Sequence, residues 1–120
     1  MNVEPIPDLD TLYCRVHKAN FNFKKGKPSR EVFKWPRQSA DLEKLTTELD
    51  SVARHRDPRE IVGLAFITAS SCRKQHQQVL HEPEATNPAH SVIVGDKPAP
   101  VLTALRDAIH GFWRNPSFSS

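Results

Sequence analysis

Cysteine is nearly missing from this chain: Cys14 and Cys72 are the only two in 120 residues. Two cysteines so far apart do not make a disulfide framework, which small secreted domains build from more cysteines at shorter intervals. They read as buried free thiols, because free cysteine packs as a small apolar residue. Glycine is also scarce, at four, and none sits in a phosphate-binding loop. Lys25-Gly26-Lys27 has a single glycine and no helix predicted behind it. No apolar run approaches the roughly 18 residues of a membrane-spanning helix. The first ten residues carry Glu4, Asp8 and Asp10 with two prolines, which is not the basic and then apolar layout of a secretory signal. The expected location is therefore the cytoplasm, with reduced thiols. No catalytic motif is complete either: Ser91 follows His90 directly and faces the other side of a strand, so it is not its nucleophile.

A chain of 120 residues has the size of one domain. At that length folding buries roughly two thirds of the unfolded surface, enough to stand without metals or disulfides. The expected organisation is an acidic extension over residues 1–11, one α+β domain over 12–114 and a frayed tail over 115–120.

Within the domain the periodicity changes several times. Residues 12–17 alternate loosely and are rich in strand formers. Phe21 and Phe23 lead into a turn at Gly26-Lys27-Pro28, and residues 31–35 read as a returning strand stopped by Pro36. Across 39–56, Leu42, Leu45, Leu49 and Val52 recur at three- and four-residue steps, which predicts a helix capped by Ser39; a strand followed by a helix is the alternative. Ile61–Thr68 is nearly continuous apolar sequence and predicts the central strand. Residues 69–77 read as a short helix carrying Cys72 and His76 on one face, and 78–81 and 91–94 as further strands around a proline-bounded loop. Asp96 caps a final helix entered through Pro98 and Pro100, with Val101, Leu102, Leu105, Ala108, Ile109 and Phe112 on its apolar face. The sum is an α+β fold: a small mixed sheet of four to six short strands with the C-terminal amphipathic helix packed on one face.

Net charge is +3, but its distribution is uneven. Residues 15–37 carry eight bases against Glu31 alone, a local balance of +7. Lys24, Lys25, Lys27, Arg30 and Lys34 are interleaved there with Phe21, Phe23, Phe33 and Trp35. Cations for phosphates beside aromatics for bases are what single-stranded nucleic-acid binding requires. Strand alternation gives the same pattern when the aromatics point inward and the lysines coat the outside.

Six histidines raise the question of a metal. Cys14 and His17 are three apart and fall on opposite faces of a strand, whereas Cys72 and His76 share a face only on a helix. Neither pair makes a set of ligands, so no metal and no cofactor is expected. His81 and His90 bracket the loop containing Pro83 and Pro88, and histidine serves there as acid, base or structural hydrogen-bonder. His90, His81, His17 and Arg15 are the candidate catalytic residues. Arg15, Ser29 and His17 form an anion site with His90 if the fold assembles them.

Leu12-Tyr13 with Arg15-Val16-His17, then Gly26, Pro28-Ser29 and Phe33, then Ser39 and Asp41 ahead of Leu45-Thr46-Thr47, and lastly Glu82-Pro83 with Asn87-Pro88-Ala89-His90, form a pattern across residues 12–95. That pattern resembles a family of short bacterial cytoplasmic proteins without an assigned activity. The resemblance implies a bacterial origin and a single domain, and carries no mechanism. The family pattern looks like a strand where this chain has Gln38-Ser39-Ala40-Asp41, against the helical periodicity noted above.

Three functions follow as expectations. A small binding or accessory protein, with a protein or single-stranded nucleic acid as partner, comes first. A small enzyme acting on a phosphate-bearing or nucleotide-like substrate through His90 is the second. The third is a single-stranded nucleic-acid binder using residues 15–37. The convergence of His17, His81 and His90 on one cleft distinguishes the enzyme. A shared face for the five bases and an exposed aromatic distinguishes the nucleic-acid binder.

Overall fold

The fold is taken from a computed structural model, which describes residues 2–119. Its frame is β1 (Thr11–His17), whose alternation sends Leu12, Cys14 and Val16 to one side and Tyr13, Arg15 and His17 to the other. On one flank β5 (Ile61–Thr68) pairs along its whole length, from Thr11 opposite Thr68 to His17 opposite Ile61, with a register shift between Val16 and His17. On the other flank lies β4 (Arg37–Leu42), followed by β7 (His90–Val94) and β6 (Gln78–His81). β8 (Gly111–Arg114) adds to the free side of β5. The strand order is β6-β7-β4-β1-β5-β8, and these pairings are antiparallel. β2 (Phe21–Asn22) and β3 (Lys27–Pro28) form a separate two-stranded ribbon.

Six short strands with helices packed on the sheet make this a single α+β domain, as the sequence predicts. One face holds the main core: Leu12, Cys14, Val16, Ala40, Leu42, Ile67 and Ile93 pack against Phe33 and against helices α2 (Ala69–Lys74) and α3 (Ala99–Asp107), which contribute Cys72 and Leu105. The opposite face is only partly covered. Helix α1 (Glu48–Ala53) seals Tyr13, Ile61 and Leu64 beneath Val52, and the Tyr13 hydroxyl donates to Glu48 Oε1 at 2.9 Å. Burial and that bond both push the Tyr13 phenol above its ordinary value. Beyond α1 the same face opens over the first half of β4, where Arg37 and Ser39 are exposed. Arg15 and His90, two of the candidate residues, lie on that face.

Several local expectations are corrected. Residues 39–56 are a strand followed by a helix: β4 bonds to β1 and β7 at once, and this double ladder overrides a helical repeat whose Leu49 is 61% exposed. Helix α1 starts only at Glu48, after the N-cap Thr47, whose hydroxyl accepts the Asp50 N–H at 3.2 Å. Arg30–Phe33 is a 3₁₀ turn and not a returning strand, because Ser29 caps it by accepting from the Glu31 N–H. Helix α2 stops at Lys74, and His76 adopts φ 61°, so Cys72 and His76 share no helical face. Helix α3 ends at Asp107, its N-cap is Pro98 and not Asp96, and Phe112 reaches the core from β8. β5 is buried on both faces but lies one strand away from the centre, which β4 and β1 occupy.

The segments flanking the domain are built into it. The expected extension and tail include Met1 and Ser120, which lie outside the described residues. Between those ends, Ile6 is buried and the carbonyls of Asp8 and Asp10 accept the Ser70 and Ala69 N–H groups. Asn115 is buried and donates to the Pro58 and Ile61 carbonyls. Lys97 ties three more carbonyls, of Pro36, Ile93 and Gly95, and burial holds its ammonium below the usual lysine value. Among the described residues no helix is long and apolar enough to cross a membrane.

Two outcomes follow. Cys14 and Cys72 are free and fully buried, and burial pushes the Cys72 thiol up to about 12 and Cys14 also upward. A thiol reagent should therefore find neither in the native protein and both in denaturant without reductant. Gly63→Ala would set a Cβ 2.1 Å from the Trp113 carbonyl and 2.6 Å from the Phe112 ring. Backbone cannot yield as a side chain does, so the variant should lose about 1–3 kcal/mol by denaturant titration. Faster amide exchange should be confined to β8.

Candidate functional site

Asp41, the penultimate residue of β4, has no exposed surface. Register puts it opposite Tyr13 of β1 and His90 of β7, so Arg15, two residues beyond Tyr13, and His90 share its face. A carboxylate removed from water must be neutralised and hydrogen-bonded. Asp41 achieves this with four partners. Its Oδ2 accepts from the Ser51 hydroxyl at 2.6 Å, Arg15 Nη2 at 2.9 Å and Arg54 Nη2 at 3.3 Å, and its Oδ1 from Asn87 Nδ2 at 2.8 Å. Burial alone would raise its pKa. The Arg15 charge, the bonds from Ser51 and Asn87 and the Arg54 charge outweigh burial and leave it below the usual carboxylate range.

Each partner arrives from a different element and is fixed there. Arg15 also donates Nε to the Ser51 carbonyl at 2.8 Å, which locks its guanidinium against α1. Arg54, the C-terminal cap of α1, donates to the Thr46 hydroxyl at 2.6 Å. Asn87 belongs to the β6–β7 loop, where Glu84 and Asn87 exchange backbone bonds at 3.0 Å and the Asn87 amide oxygen accepts from the Ala89 N–H. Asp41 thus joins β1, β4, α1 and the loop at one point.

Above this floor lies a cleft of about 550 Å3 whose walls include Arg15, Arg54, Arg56, His55, Thr86 and His90. A neighbouring cleft of about 450 Å3 shares Arg15, Ser39 and His55 and adds His17, Trp35 and Arg37. Glu84 reaches into the first, Glu82 pairs with Arg37, and Glu60 pairs with His17 at 2.9 Å. The Arg15 and Arg54 guanidinia are held by one carboxylate, so positive charge remains at the cleft floor, and Arg56 adds to it. His55 accepts the Asp57 N–H at Nδ1, which leaves the ring proton on Nε2. Burial first, and then the charges of Arg15, His17 and Arg56, hold its pKa below the ordinary value.

The structure places the sequence candidates unequally. Arg15 and His90 line one cleft and His17 lines the next. His90 donates Nδ1 to the Glu82 carbonyl at 3.0 Å, and its Nε2 makes no hydrogen bond among the described residues. His81 points to the opposite face with both ring nitrogens engaged, Nδ1 accepting from Glu4 N and Nε2 donating to the Pro88 carbonyl. It fixes the loop and does not meet the other histidines. Ser29 caps its 3₁₀ turn and lines neither cleft. Lys24 and Lys25 lie on the β2–β3 turn, and Lys27 borders a separate depression with Arg106 and Asp107. Arg30 donates to Thr103, and Lys34 stands over the Trp35 ring at 5.2 Å. Phe21 and Phe33 are buried, whereas Phe23 and Trp35 are 50% and 59% exposed. Among the described residues no three metal-ligating side chains converge.

Asp41, Ser51, Arg54 and His55 escape the sequence reading because Asp41, Arg54 and their neighbours look like charges at the two ends of a helix. The available signal was an aspartate between Ala40 and Leu42 at an alternating spacing. Comparison with protein-family models, curated proteins and solved structures finds no match to this chain.

Removing the carboxylate leaves two guanidinia facing each other without a counter-charge. Asp41→Ala should cost about 3–5 kcal/mol in denaturant titration. Because the folded-state pKa of Asp41 is depressed, its contribution is present above the unfolded value of about 4 and disappears as pH falls through the folded value. Wild type should therefore lose stability more steeply than Asp41→Asn below pH ~4.

Proposed function

We propose that this protein is a small bacterial, cytosolic binding protein whose cleft receives a phosphate-bearing anion. The observation that carries this reading is the clamping of Arg15 and Arg54 side by side by buried Asp41, with Nη1 of each uncommitted among the described residues. Guanidinia fixed before the ligand arrives lose little freedom on binding, and each presents paired donors to an oxyanion. Arg56, Thr86 and Ser39 supply further donors at the rim. The size of the cleft suits a small anionic group.

A second reading has one specific support. The Glu82 carbonyl only accepts, so the His90 proton sits on Nδ1 and the free Nε2 carries a lone pair. That is the state of a general base, and with Arg15 in the same cleft it supports a hydrolytic or transfer reaction on a phosphate-bearing substrate. His81, occupied on both nitrogens, has only a positioning role in that scheme.

Titration with pyrophosphate, followed by amide and His55 ring shifts, tests the binding reading. Saturable shifts at Arg15, Arg54 and His55 are expected, and Arg54→Gln should weaken binding at least tenfold. Burial, and after it the Arg15, His17 and Arg56 charges, hold the His55 pKa down; a bound anion offsets those charges, so the His55 ring should titrate at a higher pH in the complex than in the free protein. The absence of shifts at millimolar pyrophosphate and low salt would remove this function.

A further inference from the structure

The two clefts adjoin, and together they are longer than a phosphate site. They share Arg15, Ser39 and His55, and the shared wall follows the open face of β4. At about 3.3 Å per residue, the course from Asp41 back to Arg37 covers roughly 13 Å, with Trp35 two residues further. One end holds Arg54, Arg56 and His90; the other holds the Trp35 indole, 59% exposed, with Arg37 beside it. The Lys34 ammonium occupies one neighbourhood of that ring, 5.2 Å from its centre. A single exposed tryptophan is ordinary on a protein surface, but this one stands at the mouth of an arginine-lined groove. There it has a recognition reason, since an indole stacks on any base while the cations follow the backbone.

We infer that the groove along β4 binds single-stranded nucleic acid, with one base stacked on Trp35 and the backbone phosphates running past Arg37 and Arg15 to Arg54 and Arg56. This rests on the anion reading above and names its ligand. It also changes which part of the basic segment is used: Trp35, Arg37 and Arg15 line the groove, whereas Lys24, Lys25 and Lys27 do not. An open antiparallel face suits a strand better than a duplex, because it offers a flat floor, an aromatic and a line of cations without an element that enters a groove of the double helix.

The test is fluorescence anisotropy with a labelled six-nucleotide DNA or RNA at low salt, beside the pyrophosphate titration. Trp35→Ala, which removes an exposed ring and should leave the melting temperature unchanged, is expected to weaken oligonucleotide binding about tenfold and leave pyrophosphate binding intact. Arg56→Gln, which breaks no ion pair in the fold, should flatten the slope of log K against log salt by about 0.7. Replacing Lys24, Lys25 and Lys27 with Gln should change affinity less than Trp35→Ala does. Pyrophosphate binding without oligonucleotide binding would overturn this inference and leave the anion site standing. Loss of both would overturn the two together. Equal affinity for a mononucleotide and the six-mer, an unaffected Trp35→Ala, or control by the three lysines would each overturn the placement along β4.

Discussion

A carboxylate with no solvent contact in the middle of a sheet has to be compensated from all sides, and Asp41 sets the terms for everything around it. Its four donors come from a strand, a helix, a helix cap and a loop. Helix α1 is only six residues long and has little helical stability of its own. It is held by Val52 on Tyr13 and Leu64 and by the Ser51 and Arg54 bonds to the carboxylate. The β6–β7 loop is likewise fixed by Asn87 from below and by His81 from the opposite face. Burial of a charge is seldom the most stable solution for a core. What it provides here is placement: two arginines held rigidly at the floor of an open cleft.

The two faces of the sheet have divided the work. The face with α2 and α3 is apolar and closed, and supplies the bulk of the hydrophobic stabilisation. The other is covered by α1 over β1 and β5 and is left open at Arg37 and Ser39 of β4, with His90 half-buried beside them. Strand alternation links the two economically. Gln38, Ala40 and Leu42 point into the closed core while Ser39 and Asp41 build the cleft, all within one six-residue strand. One parity of β4 builds the core and the other lines the cleft, and Asp41 belongs to the cleft side while being fully buried.

Charge in this protein is therefore better understood by position than by count. The +7 segment is the most basic part of the sequence, yet its densest lysines sit on a turn away from either cleft. Its two ends, Arg15 on β1 and Arg37 on β4, are brought to one face by strands that pair with each other. Arg54, Arg56 and His55 join them from a part of the chain that is close to neutral. In the groove the cations stand beside an exposed tryptophan, and they add to the burial that lowers the His55 pKa.

The sequence by itself determined the α+β class, the strands at 12–17, 61–68, 78–81 and 91–94, the free thiols and the candidacy of Arg15 and His90. Each rests on a local signal: alternation, a continuous apolar run, a proline-bounded loop or too few cysteines. It misread 39–56, because the three- and four-residue spacing of Leu42, Leu45, Leu49 and Val52 imitates a helix when no neighbouring strand is in view. Only tertiary structure decided that β4 bonds to β1 and β7 together, and that decision moved Asp41 from a helix end to the centre of a sheet. The site follows from that one change. A buried ion pair has no signature along the chain, since Arg15, Asp41, Ser51, Arg54 and Asn87 become neighbours only through strand pairing. The separation of His81 from His90 is just as invisible, because a single residue of register sends two histidines of one loop to opposite faces.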